Sequence, residues 1–260
     1  MGTGSPVVGV QGVVGRIGLL AKSCLDSLND LIFPPRCAFC SEDLASAHNG
    51  LFLCEVCQQT LAIEGRSFCP RCGATVAEGN ACRHCRTARL QFEFVVPLGS
   101  YMGELREAVL RMKRPTGEML AANIGRLFCL HYGGLLRERR PDVVVPVPMH
   151  WTRRLARGAN SPETLAEMIG DCVGVPVLSR GLVRTRATLP QKDLPPKSRV
   201  ANVRGAFRAC RQERLKGASV LLVDDIVTTG ATCNEAARIL LAAGASRVGV
   251  AVIARAERAD

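Results

Sequence analysis

Aromatic side chains are scarce in this chain: Phe, Trp and Tyr make up 4% of its 260 residues, so few platforms exist on which single-stranded bases could stack. Long apolar runs are also missing. The Gly- and Val-rich opening, Met1 to Leu20, comes nearest, but Gln11, Arg16 and Lys22 break it short of the roughly 20 uninterrupted apolar residues that a membrane helix needs. It lacks the basic start that precedes the apolar core of a secretory signal. No membrane span and a cytoplasmic location are therefore expected, with residues 1–28 a flexible start leading into a short amphipathic helix. There is no coiled-coil heptad, helix-turn-helix pattern or low-complexity tract. Cys24, Cys129, Cys172, Cys210 and Cys233 are scattered through apolar patterns with no histidine placed to activate them, so they read as core or surface thiols rather than nucleophiles.

Acidic residues are outnumbered, which gives a net charge of +11 and suits anionic partners, either phosphorylated small molecules or nucleic acid. Basic clusters lie at Arg137 to Arg140, Arg153 to Arg157 and Arg184 to Arg199. Such runs also serve simply as solvated faces.

What the chain does carry is concentrated in two places. Val220 to Val223 is a continuously apolar run, as in a strand of a parallel sheet covered on both faces. Asp224 and Asp225 follow at its carboxyl end, where open α/β sheets bind ligands. Val227, Thr228, Thr229, Gly230, Ala231 and Thr232 then form a small-residue turn, and Ala231 to Ala243 carries helical spacing with Cys233, Ala236, Ala237, Leu240 and Leu241 on one side. Backbone N–H groups at such a helix start, joined by threonine hydroxyls, suit a phosphate. Carboxylates accept hydrogen bonds from sugar hydroxyls, so diacid plus turn describes a ribose 5-phosphate site; a buried strand with merely solvated acids is the alternative.

The second place is a set of four Cys-x-x-Cys pairs: Cys37/Cys40, Cys54/Cys57, Cys69/Cys72 and Cys82/Cys85. Two thiolates at this spacing take adjacent corners of a tetrahedral zinc site, so the eight can hold one or two structural Zn2+ ions. A disulfide framework is the competing reading. Consecutive and crossed pairing are both open. His48 and His84 read as bystanders, although His84 lies inside the last pair and could replace a thiolate.

The cysteine map divides the chain into a small zinc domain, residues 29–90, and an α/β domain, residues 92–260. In the latter, Phe92 to Leu98 and Val143 to Pro148 read as strands, and Leu105, Val109 and Met112, Met119 to Leu130, and Leu165, Met168 and Ile169 as helical faces. The stretch from Gly181 to Phe207 is long, basic and proline-punctuated. It reads as a loop or hairpin that could close as a lid, with Arg184, Arg186, Lys192 and Arg199 over a polyphosphate.

The run from Val220 to Thr232 resembles the phosphoribosyl pyrophosphate (PRPP) signature of type I phosphoribosyltransferases. The resemblance implies that Asp224 and Asp225 hold the ribose 2- and 3-hydroxyls and that Val227 to Thr232 hold the 5-phosphate. The cationic loop with Arg153, Arg154 and Arg157 would then face the pyrophosphate, together with Mg2+.

From about residue 28 onward the chain is similar to the ComF family of bacterial competence proteins. The likeness rests on Leu31-Ile32-Phe33-Pro34-Pro35, the Cys pairs, Pro146-Val147-Pro148, Arg157-Gly158-Ala159-Asn160, Thr188 to Gln191, Arg199 with Asn202-Val203, Gly205-Ala206-Phe207 and the PRPP signature. Ala159 and Ser161 stand where the family commonly has an aromatic and an amide.

The fold implied is a type I phosphoribosyltransferase-like α/β core with a mainly parallel sheet, preceded by a small zinc-ribbon-like domain. Two functions follow from the resemblance: a PRPP-binding factor of DNA uptake, meeting single-stranded DNA or a DNA-uptake protein, and an active phosphoribosyltransferase releasing pyrophosphate. No acceptor pocket and no catalytic base can be named.

Overall fold

Four strands with almost entirely apolar, buried sequences form a parallel sheet in the computed structural model, which describes residues 34–45, 50–62, 67–76, 82, 85–86, 88–149, 160–189 and 194–256. They are β1 (Val95–Ser100), β2 (Val143–Pro146), β5 (Ser219–Val227) and β6 (Arg247–Arg255), in the order β1-β6-β5-β2. A short antiparallel pair, β3 (Leu182–Arg184) and β4 (Phe207–Ala209), stands apart from it. The described helices are α1 (Glu55–Leu61), α2 (Gly103–Met112), α3 (Glu118–Glu138), α4 (Ser161–Val173), α5 (Pro196–Val203), α6 (Gln212–Leu215) and α7 (Ala231–Ala242). The chain forms two units, Met1–Cys54 and Glu55–Asp260, and the sheet belongs to the second.

Side chains alternate across a strand, so each covering helix selects every second residue. Val143, Val145, Val220, Leu222, Val248, Val250 and Val252 share one core with Cys233, Ala236, Ala237 and Leu240 of α7. Helices α3 and α4 pack on each other and contact the sheet strands, which leaves the alternate residues, such as Val144, Leu221 and Ala251, buried beneath them. Both faces are covered, which explains why the strands read as unbroken apolar runs. No described helix is long and apolar enough to cross a membrane.

Two expectations change in detail. β5 does not stop at Val223 but continues to Val227, because β6 is equally long and pairs with it as far as Val227 opposite Arg255. The diacid therefore sits inside the strand, in its second half. The stretch from Gly181 to Phe207 is part hairpin and part helix, with α5 between the paired strands β3 and β4. The expected features of residues 1–28, together with His48, His84, Arg153, Arg154, Arg157 and Lys192, lie outside the described residues.

The turn between α2 and α3 carries a tight constraint. A Cβ on Gly117 would lie 2.4 Å from the carbonyl oxygen of Arg111 and 2.5 Å from that of Met112, and backbone cannot yield as a side chain can. The turn also fixes Lys113, the cap residue of α2. A Gly117→Ala change is expected to lower stability by about 1–3 kcal/mol, the usual cost of overpacking, read as a fall in thermal midpoint. An unchanged midpoint would mean that the turn has room to spare.

Candidate functional site

Asp224 and Asp225 are adjacent in β5, so they project to opposite sides of the strand, and each is held differently. Asp224 is 8% exposed. Its Oδ1 accepts the backbone N–H of Asp225 at 2.9 Å, and its Oδ2 accepts the thiol of Cys233 at 3.9 Å. Burial, and then the neighbouring charge of Asp225, push its carboxyl well above the usual carboxylate range, while the Asp225 N–H and the positive charges of Lys113 and Arg184 pull the other way. Cys233 is fully buried and pushed up by burial and then by Asp224, so it stays a thiol and a donor.

Asp225 is paired with Lys113, whose Nζ lies 2.8 Å from Oδ2; the two side chains are 21% and 15% exposed. Nothing in the local sequence of Lys113, at the end of an amphipathic helix, points to this role. Only the crossover from β1 through α2 brings it to the end of β5. A lysine closing a helix on a connection that begins beside the diacid's sheet was the available signal.

Beyond the diacid the chain turns at Gly230, where φ is +79°, a conformation that L side chains rarely adopt. Thr229 Oγ1 accepts the N–H of Ala231 at 3.4 Å, and α7 begins there. Arg255, buried at the end of β6, donates from Nη1 to the carbonyls of Val227 and Ala256, both at 3.1 Å, and so fixes the point where strand becomes turn. The structure thus brings together Asp224, Asp225, Val227, Thr228, Thr229, Gly230, Ala231 and Thr232 at one strand end.

The arginines expected to serve a lid divide by role. Arg186 Nη2 donates to the carbonyls of Asn202 and Arg204, both at 3.0 Å, and Arg199 Nε donates to the carbonyl of Leu194 at 3.1 Å. These two brace the backbone, because the irregular segment has carbonyls with no ladder partner. Asn202 works alongside them: its Oδ1 accepts the N–H of Leu189 and its Nδ2 donates to the carbonyl of the same residue. Arg184 donates to Thr188 Oγ1 at 2.6 Å, and its guanidinium carbon lies 5.2 Å from the centre of the Phe207 ring. It is the arginine of this group whose charge is felt at Asp224. Gly205 N–H donates to Glu235 Oε1 at 2.8 Å, and Glu235, held below its ordinary value first by the hydrogen bonds of Arg238, ties this segment to α7.

The cysteines form two clusters, Cys37/Cys40/Cys54/Cys57 and Cys69/Cys72/Cys82/Cys85, each with all Sγ atoms within 4.8 Å of one another. The pairing is consecutive. Both first knuckles are built alike: the N–H of Cys37 bonds to Glu42 O and that of Ser41 to Cys37 O, while the N–H of Cys69 bonds to Ala74 O and that of Gly73 to Cys69 O. Ser41 and Gly73, each just after a second cysteine, have φ of +68° and +71°. Arg36 bridges to Asp43 and Phe68 to Thr75 in the same antiparallel manner. The repeat is one turn used twice.

The sulfur geometry fits a tetrahedral ion. Sγ separations of 3.7 Å for Cys40 to Cys54, 3.7 Å for Cys69 to Cys85 and 3.5 Å for Cys72 to Cys82 compare with an edge of about 3.8 Å for a tetrahedron with metal–sulfur bonds near 2.3 Å. The thiols differ in their tendency to ionise. Burial raises Cys37, but the N–H groups of Cys40, Cys54 and Phe39 outweigh it and bring it to about 6. Burial and then the neighbouring Cys69 sulfur push Cys85 up to about 11. Burial likewise raises Cys72. The second cluster sits in the same unit as the sheet, with the Val95 N–H donating to Pro70 O at 2.9 Å.

Comparison with known proteins agrees with both halves of this description. Residues 28–86 match a double zinc ribbon domain and residues 175–259 a phosphoribosyl transferase domain. The architecture is accordingly a zinc-ribbon-like domain followed by a phosphoribosyltransferase-like α/β core. The DNA utilization protein YhgH of Salmonella typhimurium is 32% identical over 233 residues, covering 86% of this chain and 99% of that protein. Competence protein F of Haemophilus influenzae is 29% identical over 226 residues, or 85% and 97% of the two chains. Competence protein ComFC of Bacillus subtilis is 27% identical over 202 residues, or 74% and 79%. Likeness over nearly the whole length of such relatives, with diacid and cysteine knuckles in one order along the chain, means that this protein belongs to the ComF family.

Proposed function

We propose that the protein binds PRPP through residues 92–260 and acts in DNA uptake, with residues 29–90 a zinc-stabilised module that meets single-stranded DNA or a DNA-uptake protein. The observation that carries the ligand reading is the carboxylate pair Asp224 and Asp225, held at the end of β5 next to the Gly230 turn. Burial of two adjacent acids is costly to folding, and a diol that hydrogen-bonds to both gives the arrangement a use. In this reading Asp224 and Asp225 accept from the ribose 2- and 3-hydroxyls, and Val227, Thr228, Thr229, Gly230, Ala231 and Thr232 cradle the 5-phosphate. Arg153, Arg154 and Arg157 are assigned to the pyrophosphate side on sequence grounds. Mg2+ carried with the ligand would neutralise its diphosphate charge.

Zn2+ is the metal that four thiolates in a tetrahedron favour, one ion per cluster. Thiolate ligands also call for a reducing compartment, in keeping with a cytoplasmic protein. The DNA role is supported by the names of the relatives, a DNA utilization protein and two competence proteins, and by the net charge of +11. The phosphoribosyl transferase match favours a second reading, in which the same complex goes on to transfer phosphoribosyl to an acceptor and release pyrophosphate.

Isothermal titration is expected to show Mg2+-assisted PRPP binding that Asp224→Asn and Asp225→Asn each weaken roughly tenfold or more, the size of one lost charge-assisted hydrogen bond. No binding at millimolar PRPP removes the ligand reading. Because the Asp224 carboxyl is raised by folding, its ionisation costs stability as pH climbs from the unfolded value of about 3.9 toward the folded one. Asp224→Asn should therefore melt higher than wild type at neutral pH, and the gap should close on acidification.

Elemental analysis is expected to find two zinc ions per chain, with Cys54→Ser losing one and lowering stability, since structural zinc supplies folding free energy directly. Zinc-free protein with its thiols oxidised in pairs would support the disulfide framework instead. Single-stranded DNA binding by the full chain should weaken steeply with salt, by about 0.7 in log–log slope per phosphate neutralised, and should fall in Cys54→Ser while PRPP binding persists. Equal DNA affinity of the two proteins would exclude the first cluster from DNA contact.

A further inference from the structure

Two cations stand by the diacid, and they are anchored differently. Arg184 is fixed by its bond to Thr188 Oγ1 and by the Phe207 ring beneath it. Lys113 is held at its backbone, where its N–H donates to the Leu110 carbonyl at the end of α2, and at its ammonium by Asp225. Its four-carbon stem leads to a compact ammonium with three rotatable donors, which rests on Asp225 Oδ2 at 2.8 Å. Arg184 is held by a hydroxyl and a ring, Lys113 by one of the two acids themselves.

We propose that Lys113 is a specificity-determining residue of this site: it makes the diacid select a vicinal diol that also carries a phosphate or diphosphate beside that diol, over diols that lack one. The inference rests on the phosphoribosyl reading above. With the 2-hydroxyl on Asp225, a single carboxylate separates that hydroxyl from Nζ, and the group on the adjoining carbon C1 is the anion nearest the lysine stem. A ligand with that group gives Lys113 an anion in return for any share of Asp225 it takes. A ligand without it competes for Asp225 and offers nothing back, and a mostly buried ammonium left without its partner is costly. The 5-phosphate does not serve this purpose, since the turn at Gly230 lies at the other end of the sugar in the proposed pose.

The two ligands that isolate the effect are PRPP and ribose 5-phosphate, which share the diol and the 5-phosphate and differ in the diphosphate at C1. Titrating the full chain with each, in Mg2+, is expected to show that Lys113→Met weakens PRPP roughly tenfold, the size of one charge-assisted hydrogen bond, and leaves ribose 5-phosphate within about twofold. Lys113→Arg should restore most of the preference, and thermal melting identifies any variant that is misfolded. Lys113→Gln, which keeps a polar stem without the charge, is read in the same way should the methionine variant fail to fold. Equal weakening of both ligands would make Lys113 a structural residue, and no change in either would leave it without a role; both overturn the inference but spare the PRPP reading. Wild-type protein that binds neither ligand overturns that reading, and this inference with it.

Discussion

Two carboxylates on consecutive residues of a buried strand form the constraint around which the second unit is organised. Asp224 is buried and Asp225 is 15% exposed, so little solvent screens the pair, and like charges at this separation repel strongly in a medium of low polarity. The fold answers each acid with different means. Asp225 receives an ammonium from α2, while Asp224 receives a backbone N–H, a thiol and the more distant field of Arg184. These partners come from α2, β3, β5 and α7, so the crossover and the small antiparallel pair are tied to the sheet by the charges they compensate as well as by apolar packing.

The amino-terminal cysteines pose the same problem with the sign of the remedy reversed. Four sulfurs within 4.8 Å cannot all ionise next to one another, and burial already raises Cys72 and Cys85. A bound dication inverts that logic and makes deprotonation favourable. The backbone is prepared for it, because the N–H groups around Cys37 favour the thiolate. Repeating one left-handed turn at Ser41 and Gly73 lets two short loops present sulfurs from small apolar clusters, such as Cys69, Cys72, Ala74 and Cys85, where few residues are available to bury.

What was legible in the sequence is local. Val220 to Val223 declared a buried parallel strand, Asp224 to Thr232 declared a carboxylate pair followed by a turn into a helix, and the Cys-x-x-Cys spacing declared clustered thiols. Less legible was whatever depends on a distant partner. The true end of β5 is set by the length of β6, and the consecutive pairing of cysteine pairs by how the loops fold back. Lys113 was missed because a lysine at a helix terminus looks solvated until the crossover places it beside Asp225. In the basic, proline-rich segment the sequence shows the charge of Arg186 and Arg199 but not that both donate to carbonyls of that same segment, because those partners depend on how the chain folds back.

That last point bears on how the positive charge of the protein works. Arg137 donates to the carbonyl of Cys172, Arg247 to those of Arg139 and Arg140, and Arg186, Arg199 and Arg255 to carbonyls near them. A carbonyl orients a guanidinium but does not cancel its charge. The long-range field that speeds approach of a polyanion is therefore retained in full, whereas a bidentate grip on phosphate would require such an arginine to abandon its carbonyl. Net charge thus argues for attraction at a distance. Lys113, whose ammonium is paired with the Asp225 carboxylate, can change partner without releasing a backbone carbonyl, which these arginines cannot.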